Sequence, residues 1–299
     1  MPVLGIARSR SQRPRAAAKV VSKEVTGGVV RFELEMAVGL SFSPGQYTKL
    51  GMDEPNGDWC AREYSLCGVA PVPPATTTTL KVAMRPIEGG RASQYMATSL
   101  EVGDSVKVLS IGGSFCLPVR PETTRFRVVM CSGGVGITPF MSMLRSLAER
   151  ARAGLLDGVS YEVVLLHSTR ETDCLFAEEL RSLAWEFAQP PGQALGPNNR
   201  SFGLHVQLFA TSGGALQKAQ CQPGATGEGL PVWRGRLGHE ALRGLVLEEL
   251  GWAADETDVM ACGPAQMSKD ILRWAGDLGV PDTQRRAEFF HMPVRGPAC

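Results

Sequence analysis

Residues 126–139 read Phe-Arg-Val-Val-Met-Cys-Ser-Gly-Gly-Val-Gly-Ile-Thr-Pro. Phe126–Met130 is an apolar strand, Ser132–Gly136 is glycine-rich, and a helix over Pro139–Arg150 follows. Pro139 suits a first helical turn, where its missing N–H costs nothing. Phe140, Met143, Leu144 and Leu147 make one apolar face of that helix. Glycines at such a junction let the backbone approach a pyrophosphate. The helix N-terminus adds free N–H donors and the positive end of its dipole, and Thr138 can add a hydroxyl. The segment departs from GxGxxG, because Pro139 sits where a third glycine would stand. No acid closes the next strand, where Leu166 leads into His167.

Downstream the texture repeats. Tyr161–Leu166, His205–Ala210 and Asp258–Ala261 read as strands. Cys174–Phe187, His239–Leu250 and Ala265–Leu278 read as helices. Alternating strands and helices imply a parallel sheet. Ligands bind at the carboxyl ends of such strands. Cys262-Gly-Pro264, just past the last of these strands, therefore falls beside the same crevice as Gly134–Thr138. Gln189–Gly203 and Gly213–Gly229 are rich in Gly, Pro, Asn and Gln and read as loops.

Upstream of residue 120 the chain reads as short strands with turn signals, the pattern of a barrel or sandwich. Val29–Met36, Gln46–Gly51, Arg62–Cys67, Thr77–Met84 and Ser105–Ser110 are the strand candidates, with one short helix near Ala92–Leu100. Arg62-Glu-Tyr-Ser65 is polar in mid-strand, and a buried arginine is costly unless paired. An arginine, an aromatic ring and a hydroxyl presented together suit a phosphate, a flat ring system and a ring-edge acceptor. Gly89-Gly-Arg-Ala-Ser93 offers a second cradle of backbone amides and a hydroxyl. Read singly, Arg62 serves equally as an ordinary strand charge, Ser93 as a helix cap and Cys262 as a buried structural cysteine.

The 299 residues are enough for two buried cores. No stretch approaches the roughly 18–20 apolar residues of a membrane helix. A net charge of +1 excludes a chain that binds nucleic acid by bulk electrostatics. Residues 1–23 carry Arg8, Arg10, Arg13, Arg15, Lys19 and Lys23 and no acid, which leaves 25 basic against 30 acidic residues beyond them. This start reads as a solvated tail over residues 1–17, or alternatively as an organelle-targeting segment. The eight cysteines include no CxxC spacing, so the sequence offers no framework for zinc or an iron–sulfur cluster. Scattered cysteines without a secretory signal point to a reducing, cytoplasmic setting.

In order, Arg62-Glu-Tyr-Ser65, Gly90-Arg-Ala-Ser93, Gly133-Gly-Val-Gly-Ile-Thr-Pro139, Cys262-Gly-Pro264 and Glu288-Phe289 resemble the ferredoxin–NADP reductase superfamily over about residues 18–292. The reductase portion of flavohaemoglobins and the reductases of aromatic-ring oxygenases look closest. The resemblance implies an antiparallel flavin-binding β-barrel over 18–120 and a nucleotide-binding α/β domain with a parallel sheet over 121–299. It implies that Arg62 pairs with the flavin phosphate within Arg62, Glu63, Tyr64 and Ser65. Tyr64 would pack on the isoalloxazine, and Ser65 would bond near its N5. The backbone of Ala83, Met84 and Arg85 would edge the ring, while Gly90, Arg91, Ala92 and Ser93 hold the pyrophosphate. Gly133, Gly134, Val135, Gly136, Thr138 and Pro139 would hold the dinucleotide, joined by Cys262, Gly263 and Pro264. Cys262 would lie near the nicotinamide C4, with Glu288 supporting Cys262 and Ser65.

FAD is the expected flavin, ahead of FMN. NADH is expected over NADPH, because Ser212-Gly213 stands where NADPH-preferring relatives commonly carry Ser-Arg; Arg170 and Lys218 are the residues that would reverse this. No haem domain fits within residues 1–17 and no cysteine cluster follows Glu288. The expected acceptor is thus a separate redox protein or a small molecule. The alternative is a non-catalytic flavin-binding subunit of a larger complex.

Overall fold

The computed structural model describes residues 16–53, 59–156, 158–169, 174–188, 201–211, 217–218 and 230–289. Residues 1–15, Arg170, Glu171, Asp173 and Ser212–Gly214 lie outside these, as does most of both loop segments. The chain divides into two compact units. Of the described residues, the first holds those up to Phe42 and those within Gln46–Leu66 and Pro71–Gly113; the second holds Ser43–Gly45, Cys67–Ala70 and those from Ser114 on.

The first unit contains β1 (Ala16–Thr26), β2 (Val29–Leu40), β3 (Tyr47–Asp53), β4 (Trp59–Ser65), β5 (Thr77–Met84), α1 (Arg91–Thr98) and β6 (Ser105–Gly112). Its antiparallel sheet runs β4-β3-β6-β1-β2-β5, and a bridge between Leu66 and Val82 joins the two ends. That bridge closes the sheet into the expected barrel. Val20, Leu34, Leu50, Leu66, Leu80, Val82 and Val108 fill the interior, each fully buried. Strand β1 begins at Ala16, so the last two residues of the segment read as a tail are strand. Its register with β2 slips between Val20 and Ser22, which breaks the alternation that marks a strand in sequence. The β1–β2 hairpin turns on Gly27 and Gly28, both at positive φ (57° and 68°), as a two-residue turn of this twist requires.

The second unit contains β7 (Arg125–Gly133), α2 (Thr138–Arg152), β8 (Ser160–Thr169), α3 (Ala177–Glu186), β9 (Phe202–Ala210), β10 (Gln217–Lys218), β11 (Val232–Arg234), α4 (His239–Arg243), β12 (Thr257–Gly263), α5 (Ala265–Asp277) and β13 (Arg285–Phe289). Helix α4 continues as a wider π-type turn over Gly244–Glu249. Helix α3 starts later than the sequence predicts, because Phe176 adopts φ 64° and forms its N-cap. The sheet order is β10-β11-β9-β8-β7-β12-β13, parallel except for β10. The chain proceeds from β7 through β8 to β9 on one side and returns to place β12 on the other. The order therefore reverses between β7 and β12, which opens a crevice at their carboxyl ends.

Two features tie this unit together. Segment Cys67–Ala70 is pinned to α2: Arg145 donates to the Cys67 carbonyl, and the Ala70 N–H donates to Ser146 Oγ at 2.9 Å. At the start of β12, Asp258 is fully buried and accepts two bonds from Arg120, at 2.9 and 2.7 Å. Removing one partner of a buried pair strands the other charge. Arg120→Met is expected to cost about 2–4 kcal/mol in urea unfolding, and Arg120→Met/Asp258→Leu to recover part of it. Equal stability of wild type and Arg120→Met would show that solvent already screens the pair.

Candidate functional site

In the first unit, β4 places Arg62 opposite Leu50 and Tyr64 opposite Thr48, on one face of the strand. Successive residues of a strand leave opposite faces, so Glu63 and Ser65 point the other way. Glu63 faces Lys49 at 3.8 Å and is exposed; its side chain does not join Arg62 and Tyr64. Ser65 is buried opposite Tyr47. Arg62 is exposed, not buried as mid-strand placement suggests, and its Nη1 donates to its own neighbour's carbonyl, Ala61 O, at 2.8 Å. A cation in that state needs no partner to be stable and has donors to give an anion. Burial pushes the Tyr64 hydroxyl up, Cys60 adds to this and Arg62 opposes it, so the ring is neutral and half-buried.

The Leu66–Val82 bridge sets the end of β4 beside Ala83 and Met84, both buried, with Arg85 exposed next to them. Helix α1 follows directly and packs against β4. Its N-cap is Gly90, not Ser93, and its first turn has no acid and no side-chain cap. The first intrahelical bond runs from Gln94 N–H to Gly90 O at 2.9 Å. Ser93 Oγ accepts from Ile87 N–H at 3.0 Å and donates to Gly90 O at 3.1 Å, which shapes the loop ahead of the helix. The residue groups 62–65, 83–85 and 90–93 thus share one region of the barrel, and an uncapped helix start suits a phosphate.

In the second unit, β7 ends at Gly133 and runs through a tight turn, Gly134–Ile137, into α2. Gly134 has φ 55°, and a Cβ there would meet nothing within 4 Å. Gly136 is the opposite case. A Cβ on it would overlap the Cys262 carbonyl and lie 2.7 Å from Gly263 Cα. A Cβ on Gly133 would sit 2.9 Å from Met267 and Pro264, and Gly263 has φ 152°. These glycines let the ends of β7 and β12 close on each other at the point where strand order reverses. Pro139 stands at the start of α2, whose first turn holds no acid. Thr138 is buried and its hydroxyl donates to Val135 O at 2.9 Å, so its hydrogen is spent on the turn.

Cys262 is fully buried and in register with Ser132 on one side and Glu288 on the other. Burial first, then the Glu288 carboxylate, pushes its thiol well above the ordinary range. Cys262 is therefore a neutral S–H near pH 7, not a thiolate nucleophile. No sequence motif singles out Ser132 and His167, polar residues near the carboxyl ends of β7 and β8; their signal is position, one residue before the end of β7 and two before the end of β8. Among the described residues no cluster of three or more His, Cys, Asp or Glu is placed to hold a metal, and no helix is long and apolar enough to cross a membrane.

Residues 130–189 match a family described as the oxidoreductase NAD-binding domain. A flavohemoprotein of Deinococcus radiodurans is 28% identical over 287 residues, 94% of this chain and 60% of the relative. A glycine betaine monooxygenase reductase subunit of Chromohalobacter salexigens is 27% identical over 261 residues, 87% of this chain and 59% of that one. The chain thus spans about three-fifths of their length. The flavohem-like FAD/NAD-binding domain of nitric oxide dioxygenase from Vibrio cholerae has a TM-score of 0.65 at 23% identity, covering 93% of this chain and 99% of that one. A ferredoxin NADP+ reductase from Neisseria gonorrhoeae, solved with FAD and NADP, also scores 0.65, at 22% identity over 91% and 97%. The family match and these relatives support the ferredoxin–NADP reductase superfamily for this chain.

Two measurements test the site's frame. Gly136→Ala forces backbone apart and is expected to cost roughly 1–3 kcal/mol in urea unfolding. Gly134→Ala meets only its left-handed backbone and should cost about 1–2 kcal/mol; a milder effect at Gly136 than at Gly134 would contradict the close approach. The second concerns pH. Burial lowers the His167 pKa from 6.5 to about 4, and burial lowers His205 as well. The unfolded chain binds these protons first, so stability is full above about pH 6.5 and falls as pH drops toward 4, by roughly 3 kcal/mol from His167. His167→Asn should flatten the unfolding midpoint against pH in that window; an unchanged slope would show that His167 does not titrate there.

Proposed function

We propose that the chain is an NAD(P)H-dependent flavoprotein reductase that passes electrons to a separate acceptor. The observation that carries this reading is the meeting of the glycine turn and Cys262-Gly-Pro264 at the one point of the parallel sheet where strand order reverses. The barrel supplies the second half: an exposed arginine, a neutral aromatic ring and an uncapped helix start. The names of the relatives support it, since reductase components of oxygenases recur among them.

FAD fits the first unit's residues. Arg62 would hold a phosphate, the first-turn amides of α1 the pyrophosphate, Tyr64 the face of the ring and the backbone of Ala83–Arg85 its edge, with Ser65 near N5. The dinucleotide would lie on Gly133–Gly136, where Gly134 leaves open space for a phosphate and the start of α2 offers positive potential. When bound, the flavin accepts two electrons as hydride from the nicotinamide and can release them singly, which the nicotinamide does not do readily. The chain's own contribution is orientation. Cys262 presents a neutral thiol beside the expected nicotinamide C4, and Glu288, in register with it, keeps that thiol protonated. NADH is preferred in this reading, because Ser212-Gly213-Gly214 brings no charge to a 2′-phosphate. A haem protein, an oxygenase component or a small oxidant would take the electrons.

Anaerobic titration of the purified protein with NADH and NADPH tests the proposal. The expected result is about one flavin per chain, bleached by NADH at a kcat/KM at least about tenfold above that with NADPH. Arg62→Ala is expected to lose roughly 1.5–3 kcal/mol of flavin affinity while α-helical content is kept. A folded protein that takes up neither FAD nor FMN overturns the reading. Bound flavin that neither nucleotide reduces would make the chain a flavin-binding subunit instead. Equal use of both nucleotides removes only the preference.

A further inference from the structure

Ser132 and His167, at the carboxyl ends of β7 and β8, have no part in the reading above. Both are fully buried, and Ser132 Oγ lies 2.8 Å from His167 Nδ1. They hold matching positions on neighbouring parallel strands. On its other flank Ser132 matches Cys262, and Cys262 matches Glu288. His167, Ser132, Cys262 and Glu288 thus form one row across four strands. The row lies on the sheet face opposite Cys131, Leu166 and Ala261, which belong to the apolar cluster that includes Ile271 and Ala275 of α5.

The hydrogen bond in this row has a direction. His167 Nε2 is buried without a hydrogen-bond partner among the described residues. A buried N–H lacking an acceptor is rarer and costlier than a buried lone pair, so the ring's proton belongs on Nδ1. Nδ1–H therefore donates to Ser132 Oγ. The serine's own hydrogen is left for the other side of the oxygen, the side on which β12 carries Cys262.

We propose that His167 is a positioning residue for the reacting end of the dinucleotide site: held as the Nδ1–H tautomer, it turns the Ser132 hydroxyl toward Cys262 and so fixes the thiol's place in the row. This rests on the reading that Cys262 serves the nicotinamide. Small displacements of a group beside a reacting atom are costly to rate and cheap to affinity, so the effect falls on the chemical step.

The test has two arms. The first uses 15N-histidine-labelled protein without nucleotide. The chain has four histidines, and His167→Asn identifies the His167 signals by their loss. The expected signals at pH 7 are those of a neutral Nδ1–H ring, and Ser132→Ala is expected to shift them toward Nε2–H. The second arm is stopped-flow flavin reduction at saturating NADH. His167→Phe and Ser132→Ala should each slow reduction by about tenfold or more with KM within about twofold. The double variant should be no slower than either, and His167→Asn, whose amide nitrogen replaces Nδ1, should recover most of the rate. If His167→Phe fails to fold, Ser132→Ala and His167→Asn carry the comparison. An Nε2–H ring in the wild type overturns the proposal. So do wild-type rates in the His167 and Ser132 variants beside a slow Cys262→Ala, even if their unfolding midpoints drop. A Cys262→Ala variant that reduces at the wild-type rate removes the reading of Cys262, and the proposal with it.

Discussion

The second unit depends on how closely β7 and β12 approach each other beyond their last hydrogen-bonded pair. Gly136 lies against the Cys262 carbonyl with no room for a Cβ, and Gly133 and Gly263 meet across Met267 and Pro264. A side chain on Gly136 would push two backbones apart, while one on Gly133 would meet the side chains of Met267 and Pro264. The approach places the start of α2, with the positive end of its dipole, directly beside the exit of β12. The glycine turn and a buried thiol then share the carboxyl end of the sheet, and neither needs a flexible loop to bring it there.

Electrostatics at that edge follows from burial. No cation lies in the first turn of α2, and no acid does either, so that turn adds no side-chain charge to the helix start. Cys262 stays protonated because it is buried and because Glu288 stands beside it. His167 stays neutral for the same first reason. The row across β8, β7, β12 and β13 is therefore a set of polar but largely uncharged groups, with a single carboxylate at the edge strand. Under the proposed function, such a row would border the ring without adding charge of its own.

Much of this was legible in the sequence where physics acts locally. Thr77–Met84 has the bounds that composition gave it, and the strand–glycine–helix run at 125–152 needed no tertiary information. The parts that were not legible share a cause. Strand β1 carries a register slip at Val21 that destroys its period. Strand β13 reads Arg-Arg-Ala-Glu-Phe, and an edge strand needs few apolar residues. Three-residue β11 is too short to signal. Within the site, the sequence places Arg62, Glu63, Tyr64 and Ser65 together, and strand alternation then separates them. Ser132 and His167 become a pair only through the parallel register of β7 and β8.

Hydrogen–deuterium exchange with and without saturating NAD+ tests the central claim, that the dinucleotide sits where β7 and β12 part. The account predicts slower exchange in peptides covering 133–138 and 262–264 together, with the barrel strand 16–26 unchanged. Protection confined to other segments, with both of these peptides unaffected, would contradict it.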